Sequence, residues 1–189
     1  MRIRTLFALA ATGALALAAT AVAPASAACD PTTQGPCTAA TTVEITLSGG
    51  TFSIATDAPT ATGAGSVAPG SIIAVDMPTT TVTDNRGSLL GWNVTADLTT
   101  APTHVAGETT YTIPGAAMTW VTGTVATTSG ALAGVSAGLG GSLAAPVPVA
   151  VSVLGFGGGT YTYTPSVSVV VPPNLVAGTY TGTVTQSLA

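Results

Sequence analysis

The sequence predicts a single all-β domain built as a sandwich, and three observations support this fold class. Only 5% of the 189 residues are charged and lysine is absent, so surface helices would lack their usual formers. Threonine and valine, which favour strands, are abundant. Short apolar stretches alternate with threonine or serine, and turns drawn from 23 glycines and 13 prolines separate them.

Four segments alternate with a period of two, as half-buried strands do because successive side chains point to opposite faces. Aromatic residues make up 5% of the chain, too few for the girdles of a membrane barrel. We therefore expect a β-sandwich of the immunoglobulin-like, Greek-key type. The segments are Val43 to Leu47, with a Gly49-Gly50 turn leading to Phe52 and Ile54; Trp92 to Leu98; Tyr161 to Val171; and Tyr180 to Leu188.

Two other segments are expected to be loops. Residues 129–146 are mostly glycine, alanine and serine with a few leucines, which favours a long flexible loop, with a short helix over 131–145 as the alternative. His104 follows Ala101-Pro102-Thr103, and we expect it in a loop as well.

The N-terminus has the features of a secretory signal peptide over residues 1–27. Arg2 and Arg4 precede an apolar run, and Ala25-Ser26-Ala27 forms a cleavage site, so the mature chain is expected to begin at Ala28. An uncleaved membrane anchor is the alternative, but the apolar run is short for a spanning helix. No integral membrane segment is expected after cleavage.

The two cysteines, Cys29 and Cys37, lie in an expected N-terminal tail over residues 28–41, ahead of the domain over 42–189. An exported chain meets an oxidising compartment, which favours a Cys29–Cys37 disulfide. Lipidation of Cys29 is the alternative, although Ser26 stands where a lipoprotein site usually has leucine.

Charge and residue types exclude several functions. The predicted mature chain carries Arg86 alone against seven carboxylates, whereas nucleic acids and anionic lipid surfaces require several cations. The single histidine, His104, has no companion ligands for a metal. The carboxylates are scattered, and no nucleophile-elbow or phosphate-loop motif is present. We therefore expect a non-enzymatic protein without a cofactor or metal.

Two separated motifs carry a resemblance to a known family. The run Val82-Thr83-Asp84-Asn85-Arg86-Gly87, followed by Gly91-Trp92-Asn93-Val94, resembles the proximal motif of WxL-domain proteins of Gram-positive bacteria. The last strand is similar too, because a Val-Pro turn leads into Ala177-Gly178-Thr179-Tyr180. The resemblance spans roughly residues 43–188 and suits a divergent, actinobacterial-like member.

The resemblance implies a secreted cell-surface protein that associates non-covalently with the cell wall, through peptidoglycan or another wall polysaccharide. It also implies companion surface proteins as partners. Two positions depart from the family pattern, since Val94 replaces leucine and Gln186 stands where the distal tryptophan is expected, two residues before Leu188. Gln186 shares a face with Val184 and Leu188, so we expect it to point inward and to need hydrogen-bond partners.

The candidate ligand-binding residues are Trp92, Arg86, Asp84 and Asn85. Trp92 could stack on a sugar ring, but its strand pattern favours a core position. Arg86 could grip a carboxylate or phosphate with its fork of N–H groups, or it could hold its turn by pairing with Asp84 or Asp76. Tyr180 belongs to the family motif without an assigned ligand.

Two other functions remain open at the level of sequence. The final strand is rich in threonine and free of charge, which is typical of an edge open to pairing. The chain could therefore be an adhesin or a pilus-like subunit that assembles through strand edges. It could also be a carbohydrate- or protein-binding module that acts away from its own wall.

Overall fold

The computed structural model describes residues 19–21, 43–58, 60–61, 65–88 and 90–189. The chain divides into two compact units, residues 1–48 and 49–189. In the first unit, β1 (Ala19–Ala21) pairs antiparallel with β2 (Val43–Ile45). Val43, Ile45 and Leu47 are exposed, so the predicted alternation forms a strand without burying a face. The rest of the predicted signal peptide and the Cys29–Cys37 pair lie outside the described residues.

The second unit is a β-sandwich, and its described residues contain no α-helix. Three residues, Gly115–Ala117, form a 3-10 turn between two strands. The predicted all-β sandwich is confirmed. The strands are β3 (Phe52–Thr56), β4 (Ile72–Asp76), β5 (Thr80–Asp84), β6 (Trp92–Ala106), β7 (Thr109–Thr112), β8 (Met118–Val121), β9 (Ala126–Gly130), β10 (Val135–Ala137), β11 (Gly141–Ser142), β12 (Val147–Ser152), β13 (Gly159–Tyr163), β14 (Ser166–Val170) and β15 (Thr181–Leu188).

The strands form three antiparallel sheets. Sheet I has the order β10-β12-β6-β15, and β7 pairs with the far end of β6. Sheet II has the order β3-β5-β13-β9, and sheet III has the order β11-β8-β14-β4. Strand β15 therefore lies at an edge of sheet I, next to the long strand β6.

Three stretches of chain each contribute one strand to sheet II and one to sheet III. In these stretches β4 leads into β5, β8 into β9, and β13 into β14. The breaks lie side by side: the Met77 N–H donates to the Pro165 carbonyl at 2.9 Å, and the hydroxyls of Thr79 and Thr164 are 2.8 Å apart. Pro165 removes a backbone donor at the break. Gly123 lies at the third break, and a Cβ there would stand 2.6 Å from the Thr164 carbonyl. The change from sheet III to sheet II therefore occurs at adjacent positions in all three stretches.

One apolar core joins the inner faces of the sheets. The alternation predicted for the strands from Trp92 and from Tyr161 is confirmed, since one face of each is buried. The rings of Trp92 in sheet I and Tyr161 in sheet II meet with centroids 5.5 Å apart, a favourable aromatic contact. The fully buried side chains include Trp120, Tyr161, Val82, Val94 and Val149.

The two loop predictions are wrong. The 129–146 stretch contains β10 and β11 rather than one flexible loop or a helix. Glycine allows this close packing, because a Cβ at Gly138 would overlap the Pro148 carbonyl. His104 lies in strand β6 opposite Tyr111. Pro102 does not interrupt the strand. It lacks a backbone N–H, but its carbonyl still accepts from the Ile113 N–H at 2.9 Å.

Candidate functional site

The four candidate ligand-binding residues, Asp84, Asn85, Arg86 and Trp92, lie at one end of the sandwich, where β5 ends and β6 begins. Asp84 is the last residue of β5 and is 1% exposed. Its carboxylate accepts two bonds from the Arg86 side chain, Nε to Oδ1 and Nη2 to Oδ2, both at 2.9 Å. The Arg86 backbone N–H also donates to Oδ1, at 3.1 Å. The predicted pairing of Arg86 is thus with Asp84 and not with Asp76.

This arrangement determines the charge of both groups. Hydrogen bonding to the Arg86 side chain is the largest effect on Asp84 and lowers the pKa of its carboxyl, although burial opposes it. The same hydrogen bond raises the pKa of Arg86. Such a two-pronged bond is the geometry that guanidinium and carboxylate groups favour. The pair is a fixed ionic unit at neutral pH.

Further contacts hold the guanidinium in place. Nη2 donates to the Gly91 carbonyl at 2.9 Å, and the Phe52 ring centroid lies 3.6 Å from Cζ, within the range of a cation–π contact. These bonds use Nε and Nη2, so the two N–H groups of Nη1 have no partner among the described residues. The Arg86 side chain is 26% exposed. Arg86 therefore holds its turn through the ion pair with Asp84, which we call the Asp84–Arg86 clamp, and retains two N–H groups that could donate to another molecule.

The turn that carries Asn85 and Arg86 is packed closely against residues 49–51, the stretch just before β3. The Gly50 N–H donates to the Asn85 carbonyl at 2.6 Å, and the Asn85 N–H donates to the Thr51 carbonyl at 2.8 Å. A Cβ on Gly49 would stand 2.6 Å from the Arg86 carbonyl, so this approach requires glycine. The Asn85 side chain is exposed.

Trp92 lies behind this turn in the core. It is 4% exposed, and its Nε1 donates to the Gly157 carbonyl at 3.0 Å. Gly157 has φ +95°, and a Cβ there would stand 2.7 Å from Nε1. The glycine run 155–159 therefore accommodates the indole. With so little of its ring exposed, Trp92 offers no face on which a sugar could stack. It occupies the core position that its strand pattern favoured.

An open cleft of about 370 Å³ lies over these residues. We call it the Arg86 cleft. It brings the Arg86 side chain together with an exposed apolar side chain, Leu90, which is 70% exposed, and an exposed amide side chain, Asn93. Its lining consists of Arg86, Leu90, Gly91, Trp92, Asn93, Val151, Ser152 and Ala189.

Gln186, at the position expected for a second tryptophan, lies elsewhere in the sandwich. As predicted, it points inward and has partners: Oε1 accepts from the Tyr163 hydroxyl at 2.6 Å, and Nε2 donates to the Thr80 hydroxyl at 3.0 Å. Burial raises the pKa of Tyr163, so the phenol remains a donor. This chain of hydrogen bonds links sheet I to sheet II and leaves no side-chain group of Gln186 directed at a ligand.

The other motif positions are structural. Val94 is fully buried, and Leu188 is half-buried on the inner face of β15. Tyr180 packs its ring 5.4 Å from His104 and donates to the Val176 carbonyl at 3.0 Å. A Cβ on Gly178 would overlap the His104 imidazole, so the Ala-Gly-Thr-Tyr turn closes over that ring.

Sequence reasoning missed Trp120, which is 1% exposed and is, with Trp92, one of two buried tryptophans. Met118 and Trp120 are buried while Thr119 and Val121 are exposed, a period-two alternation that the sequence displays. The signal was short, because the break at residues 122–125 ends the strand after four residues.

The described residues contain no group of three His, Cys, Asp or Glu side chains that could hold a metal. No helix among them is long and apolar enough to cross a membrane. The two N–H groups of Arg86 Nη1, which have no partner among the described residues, can donate to an anion.

Comparison with known proteins leaves the chain without a match, because no family model, no curated protein and no solved structure matches it.

Proposed function

We propose that this chain is a secreted, non-enzymatic protein of the surface of a Gram-positive bacterium, which associates non-covalently with the cell wall through the Arg86 cleft. The ligand is peptidoglycan or a polysaccharide attached to it. The proposed location on a Gram-positive surface rests on the resemblance to WxL-domain proteins. The proposal that the Arg86 cleft binds the wall rests on the geometry of Arg86.

One observation carries the proposal: Arg86 and the motif residues Gly91, Trp92 and Asn93 line one cleft, and Arg86 retains N–H groups that no described residue accepts from. The two N–H groups of Nη1 can bind one carboxylate or phosphate of a wall polymer by a two-pronged bond. Asp84 holds the guanidinium in one orientation beforehand, which reduces the entropy lost on binding. Leu90 and Asn93 supply an apolar and an amide contact beside it.

The test measures binding of the secreted protein to isolated sacculi by pelleting, with and without removal of the secondary wall polymers. Specific, saturable pelleting supports the proposal, and the effect of removal distinguishes peptidoglycan from an attached polymer. A folded protein that does not pellet at any concentration contradicts it.

Leu90→Asp tests the cleft without touching the Asp84–Arg86 clamp. Leu90 is 70% exposed, so the substitution should preserve folding and place a negative charge beside the anion. We expect affinity to fall about tenfold or more. Leu139→Asp is the matched control, because Leu139 is 100% exposed and does not line the cleft. Equal losses in the two variants contradict binding at the cleft.

A second candidate function is favoured by a separate observation, the open edge of β15. This eight-residue strand pairs with β6 on one side and with no described strand on the other. The strand contains no charged residue, and charge is the usual protection of an edge. The chain would then be an adhesin or pilus-like subunit that assembles by strand pairing. Concentration-dependent oligomers in sedimentation velocity support this function, and a strict monomer at high concentration contradicts it.

A further inference from the structure

The hydrogen-bond phase of β15 can be read from its last residue. The Asn93 N–H donates to the Ala189 carbonyl at 2.8 Å, and the Ala189 N–H donates to the Asn93 carbonyl at 3.0 Å. The two residues therefore form a hydrogen-bonded pair. Pairing with β6 runs without a register shift from Ala189 back to Val184. In an antiparallel ladder, hydrogen-bonded and non-hydrogen-bonded pairs alternate.

It follows that Leu188, Gln186 and Val184 form the non-hydrogen-bonded pairs with Val94, Ala96 and Leu98. Their N–H and C=O groups point away from β6, to the open edge of sheet I. No described residue pairs with that edge; β3 contacts β15 but is not hydrogen-bonded to it. The edge thus presents three residues, spaced by two, each with one free donor and one free acceptor.

This pattern is complementary to itself. Antiparallel pairing of two β15 strands about a two-fold axis at Gln186 places Gln186 opposite its copy and Val184 opposite Leu188 of the second copy. Each facing pair can exchange two backbone hydrogen bonds. An isologous contact of this kind closes as a dimer.

The side chains fit the same register. Val184 and Leu188 lie on the inner face and are half-buried, so each would gain an apolar neighbour across the new pair. On the outer face, Thr185 would meet Ser187 of the second copy, and both are exposed and uncharged. No like charges would meet in the paired strands, because residues 181–188 carry none.

We propose that two copies of this chain associate through β15, antiparallel and centred on Gln186, so that the two copies of sheet I become one continuous sheet. The partner of the edge is thus a second copy of the chain. This inference rests on the second proposed function, assembly through strand edges, and gives that assembly its interface and register. It is independent of wall binding.

The experiment is sedimentation velocity of the full secreted chain over a range of concentrations, with two double variants. Thr185→Lys with Ser187→Lys places lysine opposite lysine twice in the proposed register. Thr185→Lys with Ser187→Glu places lysine opposite glutamate twice. Both positions are exposed, and circular dichroism with thermal melting verifies the fold of each variant.

We expect the lysine–lysine variant to dissociate about tenfold more readily than the parent, and the lysine–glutamate variant to associate at least as tightly as the parent. The control Thr119→Lys with Val121→Lys adds the same charge on two exposed positions of β8, an interior strand of sheet III, and should associate like the parent. Backbone amide exchange provides a second measurement: protection of Val184, Gln186 and Leu188 should rise with protein concentration.

Three outcomes overturn the proposal, and they are distinguishable. A parent that remains monomeric at every concentration overturns both the dimer and the assembly function. Association that neither double variant alters leaves assembly in place but removes β15 as its interface. Equal weakening by both variants contradicts the register centred on Gln186.

Discussion

The two tryptophans are both buried, but only one of their indole N–H groups has a hydrogen-bond partner among the described residues. Trp92 is 4% exposed and donates to the Gly157 carbonyl. Trp120 is 1% exposed, and its Nε1 has no partner among the described residues; the same is true of the Thr122 hydroxyl close by. A buried polar atom without a partner costs about 1–3 kcal/mol.

The difference shows which part of the sandwich depends on directional contacts. Around Trp92, the indole, the Tyr161 hydroxyl and the Asp84 carboxylate all have partners, so directional contacts fix the positions of these three groups. Around Trp120, stability comes from apolar burial and close packing, which is not directional. A precise ligand site is expected at the Trp92 end, where the Arg86 cleft lies.

Replacing either tryptophan with alanine should cause the largest loss. Both rings are buried in the core, so Trp92→Ala and Trp120→Ala should each lower the free energy of unfolding by about 3–5 kcal/mol. Chemical denaturation measures this loss, and reduced expression should accompany it. A folded Trp92→Ala protein with an unchanged melting temperature contradicts the core role of Trp92.

Tyr163→Phe should have the next largest effect. It removes the hydroxyl that donates to Gln186 Oε1 and leaves this half-buried acceptor without that bond, at a cost of about 1–3 kcal/mol. Tyr180→Phe is the matched control, because its hydroxyl donates to the carbonyl of Val176 in a partly exposed turn. If the two variants have the same unfolding free energy, the link between the sheets does not contribute.

The comparison of the tryptophans is sharpened by phenylalanine at each position. Trp92→Phe leaves the Gly157 carbonyl without its donor, whereas Trp120→Phe removes a donor that has no partner. After the similar loss of ring volume, Trp92→Phe should be the more destabilising by about 1 kcal/mol. Urea denaturation of both variants measures the difference. A larger loss at Trp120 would show that its N–H is satisfied after all.

Sequence patterns predicted the features that depend on near neighbours in the chain. The buried faces around Trp92 and Tyr161, the inward Gln186 and the Asp84–Arg86 turn all follow from spacing of two along a strand or within a turn. The partners of those side chains lie far away: Gln186 bonds Thr80, and Trp92 bonds Gly157. No local pattern contains such pairings.

The features that sequence reasoning missed share a physical cause, since tertiary packing overrode the local signal. Pro102 indicates a loop but lies in a strand, because its missing N–H costs little where its carbonyl is bonded. The glycines of residues 129–146 indicate flexibility but serve close approach of backbones. For the cleft, the motif placed Arg86, whereas its Phe52 and Gly91 contacts required the folded chain.

The smallest expected effect is the acid dependence of the Trp92 end. The folded chain lowers the pKa of Asp84 below its ordinary value of 3.8, so the ion pair contributes stability above that pH and loses it as pH falls through the lowered pKa. The loss is modest because Arg86 is partly exposed. In Asp84→Asn, urea midpoints between about pH 6 and pH 2 should fall less steeply than in the parent. Asp76→Asn, which removes an exposed carboxylate outside the pair, should follow the parent curve, and a parent-like slope in Asp84→Asn would mean that the clamp contributes nothing to stability.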